Sequence, residues 1–327
     1  MIALIIGLFG YVAASGALGP RLVRAYRRWQ RSSPWLGLVL WTALATSWLV
    51  ALLSAGLAAL DKFSGQLGLP ALLHACVRAA IALVSPRHLA NVPAAVALVG
   101  SLVVVVRLSV VGVGYVRRTR RQRAEHREAV CAPSPTWHRN GQKITVVDAA
   151  HLAAYCVPGR RATVVLTAGA LDNLAEPELD AVVAHEQAHL RGRHDLVLTW
   201  VTVLARAFPF VPLLRAAPGE VARLIEWRAD DCAGRRHGRR TVARALTAMA
   251  TGRPVTAPRG ALSATGPEVV DRVRRLLHSC PDGRRSCGPF LVAVTLPLLA
   301  LTTAGAVLVP ATTGSRECAP RETEQVR

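Results

Sequence analysis

The sequence predicts a mainly α fold: a multi-span helical membrane protein with one α+β domain on its cytoplasmic side. Three observations lead there. The 327 residues are 52% hydrophobic with a mean hydropathy of +0.32. The apolar residues collect into stretches that meet the ~20 helical residues a bilayer needs. One long, more polar segment holds two strand-like runs followed by helical ones. Charge narrows the class further, since 40 Lys+Arg stand against 20 Asp+Glu, a net +20. Only 5% of residues are aromatic and only Lys62 and Lys143 are lysines. The stacking platforms and lysine-rich arms of nucleic-acid binders are therefore poorly supported, and no direct nucleic-acid partner is expected. The lipid bilayer is the expected partner.

From the N-terminus, the apolar stretches are Met1–Leu18, Trp35–Leu60, about Val92–Val116, and Gly288–Val309. The first reads as a retained helix rather than a secretion signal, because its first cation, Arg21, follows the apolar core instead of preceding it. Cation bias in short loops sets orientation. Arg21, Arg24, Arg27, Arg28 and Arg31 lie between spans one and two, and Arg117, Arg118, Arg120, Arg121, Arg123 and Arg127 follow span three, so both clusters are expected in the cytoplasm. The loop Asp61–Asn91, the N-terminus and the C-terminal tail then face outward. The division is 1–116 for three spans with a basic cytoplasmic loop at 19–34, 117–286 for the cytoplasmic domain, 287–310 for a fourth span and 311–327 for a short extracytoplasmic tail. Leu69–Val84, apolar but short and interrupted by His74 and Arg78, is expected to lie on the outer membrane surface as an amphipathic helix. Arg107, inside span three, is expected to snorkel toward the cytoplasmic face. The seven cysteines form no CxxC pair, and those in the cytoplasmic domain are expected as reduced thiols.

Within the domain, Lys143–Val147 and Ala162–Thr167 read as strands, with a turn at Pro158-Gly159. Ala162–Thr167 is the candidate edge strand for pairing with an extended substrate. The strongest chemical signal follows: His185-Glu186-Gln187-Ala188-His189, in a helix whose first turn holds Pro177. Residues four apart share a helical face, so His185 and His189 can grip one Zn2+ while Glu186 projects beside them as a general base. A catalytic zinc site needs a third protein ligand. Glu226, in a helical stretch from Gly219 to about Arg236, can supply it, and Asp230, one turn on, can orient a ligating imidazole. The rival is Asp195, because His185, His189, Gly192 and Asp195 also satisfy HExxHxxGxxD. That class needs a methionine turn beneath the metal, and the only methionine beyond the first residue is Met249, in an Ala-rich helical run. Glu226 is therefore preferred, with His194 and Asp195 expected to make local polar contacts. A single span at Leu196–Leu214 would put Glu226 ~30 Å from His185, across the bilayer. That stretch, with Arg206, Pro209 and Pro212, is expected instead to rest on or dip into the inner leaflet.

With these residues in view, the chain resembles the membrane-embedded zinc metallopeptidases of the BlaR/MecR antibiotic-sensor type, relatives of the HtpX-type gluzincins. The resemblance runs from about Arg117 to Arg236 and covers the preceding three-span layout. It rests on Val164–Leu171, Glu178–His189, Arg193-His194-Asp195, Ala207–Leu214 and Glu226–Asp230. It implies a gluzincin-type zinc metallopeptidase domain, with His185, His189 and Glu226 as zinc ligands, Glu186 as catalytic base and Asp230 supporting a ligand. The sensors carry a large penicillin-binding domain after the last span, whereas some 18 residues follow Val309 here, so direct β-lactam sensing is not expected. The expected function is zinc-dependent endopeptidase action on a protein or peptide substrate, a membrane-proximal protein or a transcriptional repressor. The alternative is a non-catalytic membrane signalling or scaffold protein that retains a zinc fold. The residue that stabilises the oxyanion is not identified by pattern; Tyr155 and His237 are the candidates.

Overall fold

The computed structural model describes residues 2–64, 92–131, 134–139, 142–159, 162–251 and 267–278. The expectations for Leu69–Val84, for the fourth span Gly288–Val309, for the tail 311–327 and for Cys76, Cys280, Cys287 and Cys318 lie outside these residues. Helix α1 (Ile2–Ala25), the short α2 (Arg27–Ser32), α3 (Pro34–Ser64) and α4 (Val92–His126) come first. Among the described residues, Ile5–Ala25, Pro34–Ala59 and Val96–Val130 are long and apolar enough to cross a membrane. They coincide with the first three expected spans, and α1 continues past Leu18 through Arg21 and Arg24.

Small residues let α1 and α3 approach closely. A side chain at Gly16 would stand 3.0 Å from the Trp48 indole nitrogen, which donates to the Val12 carbonyl at 3.0 Å. Tyr11 and Ser47 share a hydroxyl hydrogen bond of 2.6 Å. Much of α4, by contrast, presents exposed valines and leucines, including Val99, Leu102, Val106, Val110 and Val113, as a lipid-facing helix does.

After α4, a π-helical turn (Arg127–Cys131) leads to β1 (Thr136–Arg139), β2 (Gln142–Val147), β3 (Ala154–Val157) and β4 (Thr163–Thr167). The sheet order is β1-β2-β4-β3. β1 and β2 are antiparallel, β2 and β4 parallel, and β3 and β4 antiparallel, with Ile144 opposite Val164 and Tyr155 opposite Val165. This corrects the edge-strand expectation. Within this stretch Thr163–Thr167 forms β4, paired on both sides and buried at every position, as a continuous apolar run with no alternation should be. The edge beside the next long helix belongs to β3.

Helix α5 (Ala168–Asn173) leads to α6 (Glu176–Arg191), α7 (His194–Ala207), α8 (Pro212–His237), α9 (Arg239–Thr251) and α10 (Pro267–His278). Pro177 sits in the first turn of α6, and the Glu178 carboxylate accepts the Ala175 N–H at 3.3 Å. Helix α8 begins well before Gly219 because Pro212 starts it, leaving Pro218 inside.

The stretch Leu196–Leu214 forms the two arms and tip of a hairpin, α7 followed by α8, inserted among the spans. Phe208 at the tip meets Trp48 edge to face, with ring centroids 5.2 Å apart. Leu213 lies against Gly19, and the Arg107 guanidinium donates to the Ala207 carbonyl. Trp48 lies 14 residues past Pro34, ~21 Å of helix, so the tip reaches about midway along α3. Buried Val201, Leu204, Phe208, Val211, Leu213 and Leu214 join Trp41, Leu44 and Trp48 in one core. The Arg107 side chain thereby caps the end of α7, where the last carbonyls of a helix lack internal partners.

The basic loop is also more than a sidedness signal. Arg24 and Arg27 hold buried Glu220 of α8 at 3.0 and 3.1 Å, and Arg223 joins them. Arg31 pairs with Asp271.

Candidate metal centre

Helix α6 lies along β3 and against α8 and α9. One face, Leu179 and Val183, joins the sheet core with Ile144, Val164 and Leu166. The other presents His185, Glu186 and His189, each less than a tenth exposed. The Nε2 atoms of His185 and His189 face each other at 3.1 Å. Glu226 of α8 completes the group, with one carboxylate oxygen 3.4 Å from His185 Nε2 and the other 3.5 Å from His189 Nε2. Ligand atoms at ~2.0–2.1 Å from a tetrahedral metal lie ~3.3 Å apart, so these separations suit one small ion. Glu226 Oε1, moreover, is buried and takes part in no hydrogen bond, which leaves a lone pair for a metal. The three residues form the one metal-competent group found among the described residues, and they fit Zn2+ by donor type as well as by spacing.

Around this group stand three further side chains. Asp230, one turn past Glu226 and fully buried, places Oδ1 3.1 Å from His185 Nδ1. Arg272 of α10 reaches Glu226 at 2.8 Å and both Asp230 oxygens at 2.7 and 2.9 Å. Its side chain is 4% exposed. His194, the first residue of α7, brings its Nδ1 to 3.1 Å from His189 Nδ1. Asp195 turns away from the metal group to pair with Arg123 of α4 at 3.1 Å, and Asp231 is held by Arg275 of α10.

Electrostatics follow from burial and from these partners. Desolvation lowers His189 to about 3 and His194 to about 4. It acts on His185 too, but the Asp230 and Glu226 carboxylates, placed to accept from the protonated ring, outweigh it and hold the metal-free imidazole up at about 10. Burial pushes Glu226 upward, and the Arg272 charge overcomes this to bring it to about 2. Asp230 is depressed in the same way. Burial raises Glu186, and the neighbouring His185 charge only partly opposes this. With neutral imidazoles, the charges of Glu186, Glu226 and Asp230 are balanced by Arg272 together with a divalent ion. A buried site needs such balance.

Sequence reasoning missed Arg272 and underread His194. A signal for Arg272 existed: Val269, Arg272 and Leu276 fall on one stripe of α10 and are all buried, and a cation in an apolar stripe needs a buried acid. Of the two oxyanion candidates, His237 lies 11 residues beyond Glu226, ~16 Å along α8. Tyr155, on β3, shares a 2.8 Å hydrogen bond with His126.

Comparison with curated proteins and with solved structures returned no match. A family model does match: residues 115–218 are similar to Peptidase family M48, a zinc metallopeptidase family. The matched stretch holds the sheet, α6 and the hairpin tip and ends before Glu226, so the chain carries an M48-like peptidase region beside its N-terminal apolar helices.

Proposed function

We propose that this chain is an integral-membrane zinc endopeptidase, of the kind the BlaR/MecR resemblance implies, acting on protein segments at the membrane boundary. The observation that carries the reading is the convergence of His185, His189 and Glu226 at 3.1, 3.4 and 3.5 Å. Bound there, zinc supplies a Lewis acid that polarises the scissile carbonyl and lowers the pKa of a water toward ~7. Glu186, on the same turn as His185, takes the proton of the attacking water and delivers it to the leaving amine nitrogen. Asp230 holds His185 by its outer nitrogen, and Arg272 holds the carboxylate of Glu226. Ala154–Val157, the outermost strand beside α6 among the described residues, is the candidate to pair with an extended substrate.

The membrane-boundary assignment comes from level. Glu226 lies 14 residues, ~21 Å of helix, back from the hairpin tip. Around it, Leu224 packs on Gly37, Arg31 lies over Trp227 and Arg228 lies over Trp35. The metal group is thus level with the start of the second span. A bond just outside the hydrocarbon is in reach there without leaving the bilayer surface. The arginine clusters support a cytoplasmic setting for this face, with the domain taken to begin at residue 117. A reporter fused after Arg127 that scores as extracytoplasmic would refute the sidedness.

The deciding experiment uses the full chain in detergent. Wild type and Glu186→Gln should both bind one zinc, and only wild type should cleave membrane-anchored substrates. Equal cleavage by both removes Glu186 from the chemistry. Zinc in both with cleavage by neither favours the scaffold alternative. Faster cleavage of a soluble repressor than of any anchored substrate removes the boundary assignment.

A further inference from the structure

The two imidazoles are held from outside by different elements, and only one of these holders belongs to the expected pattern. Asp230 of α8 stands behind His185. Behind His189 stands His194, 6% exposed, with its ring perpendicular to that of His189 and the centroids 5.0 Å apart. The Nδ1 atoms are 3.1 Å apart, and His189 Nε2 faces the other ligand atoms. If Nε2 gives its lone pair to a metal, the ring's proton sits on Nδ1 and needs an acceptor. His194 Nδ1 is placed to accept it.

The connection between α6 and α7 is shaped around this contact. Its two residues are Gly192 and Arg193. A Cβ on Gly192 would stand 2.4 Å from His194 Nε2 and 2.6 Å from Cδ2, so only glycine leaves room for the ring to fold back over the last turn of α6. Arg193 has φ 47 and ψ 41, and it is the one non-glycine residue with positive φ among the described residues. That left-handed conformation costs ~1–2 kcal/mol for a residue with a Cβ. Glycine at this position thus has a use that does not depend on Asp195, which the same turn sends toward Arg123.

We infer that His194 is a positioning residue for the metal centre, accepting the Nδ1–H of His189 and thereby fixing the tautomer and ring angle with which His189 offers Nε2 to the ion. The inference rests on the zinc reading above.

The test measures metal binding to the full chain in detergent, by chelator competition for Zn2+ and by the visible spectrum of the Co2+ form. Folding is checked by circular dichroism and thermal melting. His194→Ala should weaken zinc roughly 10–100-fold and change the cobalt spectrum. His194→Asn, whose amide oxygen can stand where Nδ1 stood, should recover most of the loss. Gly192→Ala, which crowds the ring but keeps every polar group, should weaken zinc as well. Wild-type affinity in a folded His194→Ala overturns the inference while leaving the zinc reading intact. So does a His194→Asn as weak as the alanine variant. A wild-type chain that binds no stoichiometric zinc overturns both.

Discussion

Replacing Arg272 by Met keeps the length of the side chain and removes its charge from between two buried carboxylates. In the wild type the guanidinium lies 2.8 Å from Glu226 and 2.7 Å from Asp230, whose side chain is 0% exposed. Breaking a buried pair by deleting one partner costs ~3–5 kcal/mol, mostly the penalty of the charge left behind. At ~2–4 °C per kcal/mol, the melting temperature should fall by ~6–20 °C. The acid-side pH dependence should weaken. In metal-free wild type, Glu226, lowered to about 2, and Asp230, also depressed, contribute stability that is fully present above their unfolded values. That contribution is lost as pH falls through the folded values. In the variant, burial acts on both carboxylates without the Arg272 charge to oppose it, so their folded values lie closer to the unfolded ones. Less stability is then left to lose, and the variant's stability should fall less steeply than that of the wild type below about pH 4. Tryptophan fluorescence melts of chelator-treated protein across that acid range make the comparison. A variant that loses less than ~1 kcal/mol and keeps the wild-type pH slope would refute this account of the buried charges.

Three further outcomes are expected. Glu226→Ala should abolish stoichiometric zinc by metal analysis while Asp195→Ala retains it, and the reverse would transfer the third-ligand role to Asp195. Arg107→Leu strips the Ala207 carbonyl of its side-chain donor among the spans and should lower stability by ~1–3 kcal/mol in detergent melts. Glu220→Gln, which weakens the grip of Arg24 and Arg27 on α8, should destabilise by ~1–3 kcal/mol, and the loss should shrink at high salt because both arginines are about half exposed.

What the sequence made legible was local or periodic. His185 and His189 share a face because they are four apart, Asp230 follows Glu226 by the same interval, and the spans are runs of apolar residues. The hairpin could be argued from metal geometry, since a spanning Leu196–Leu214 would have separated Glu226 from His185. Tertiary choices with no local mark were not legible. Arg272 is one of 38 arginines, and its partners lie more than 40 positions away. β1 and β3 are four-residue strands too short to show a period, so β4 was given an edge it does not have. The role of His194 depends on a left-handed arginine that nothing in the residue type announces.

The hairpin also bears on the order in which the protein becomes itself. His185 and His189 precede its tip and Glu226 follows it, while the tip is seated on residues of the first three transmembrane-type helices. Glu226 is therefore brought to the two histidines only when those helices are assembled. Arg272, the last of the described side chains around the group to leave the ribosome, completes the charge balance. On the zinc reading proposed above, a nascent or misassembled chain would hold two histidines without the third donor, which ties metal binding to the assembly of the apolar helices.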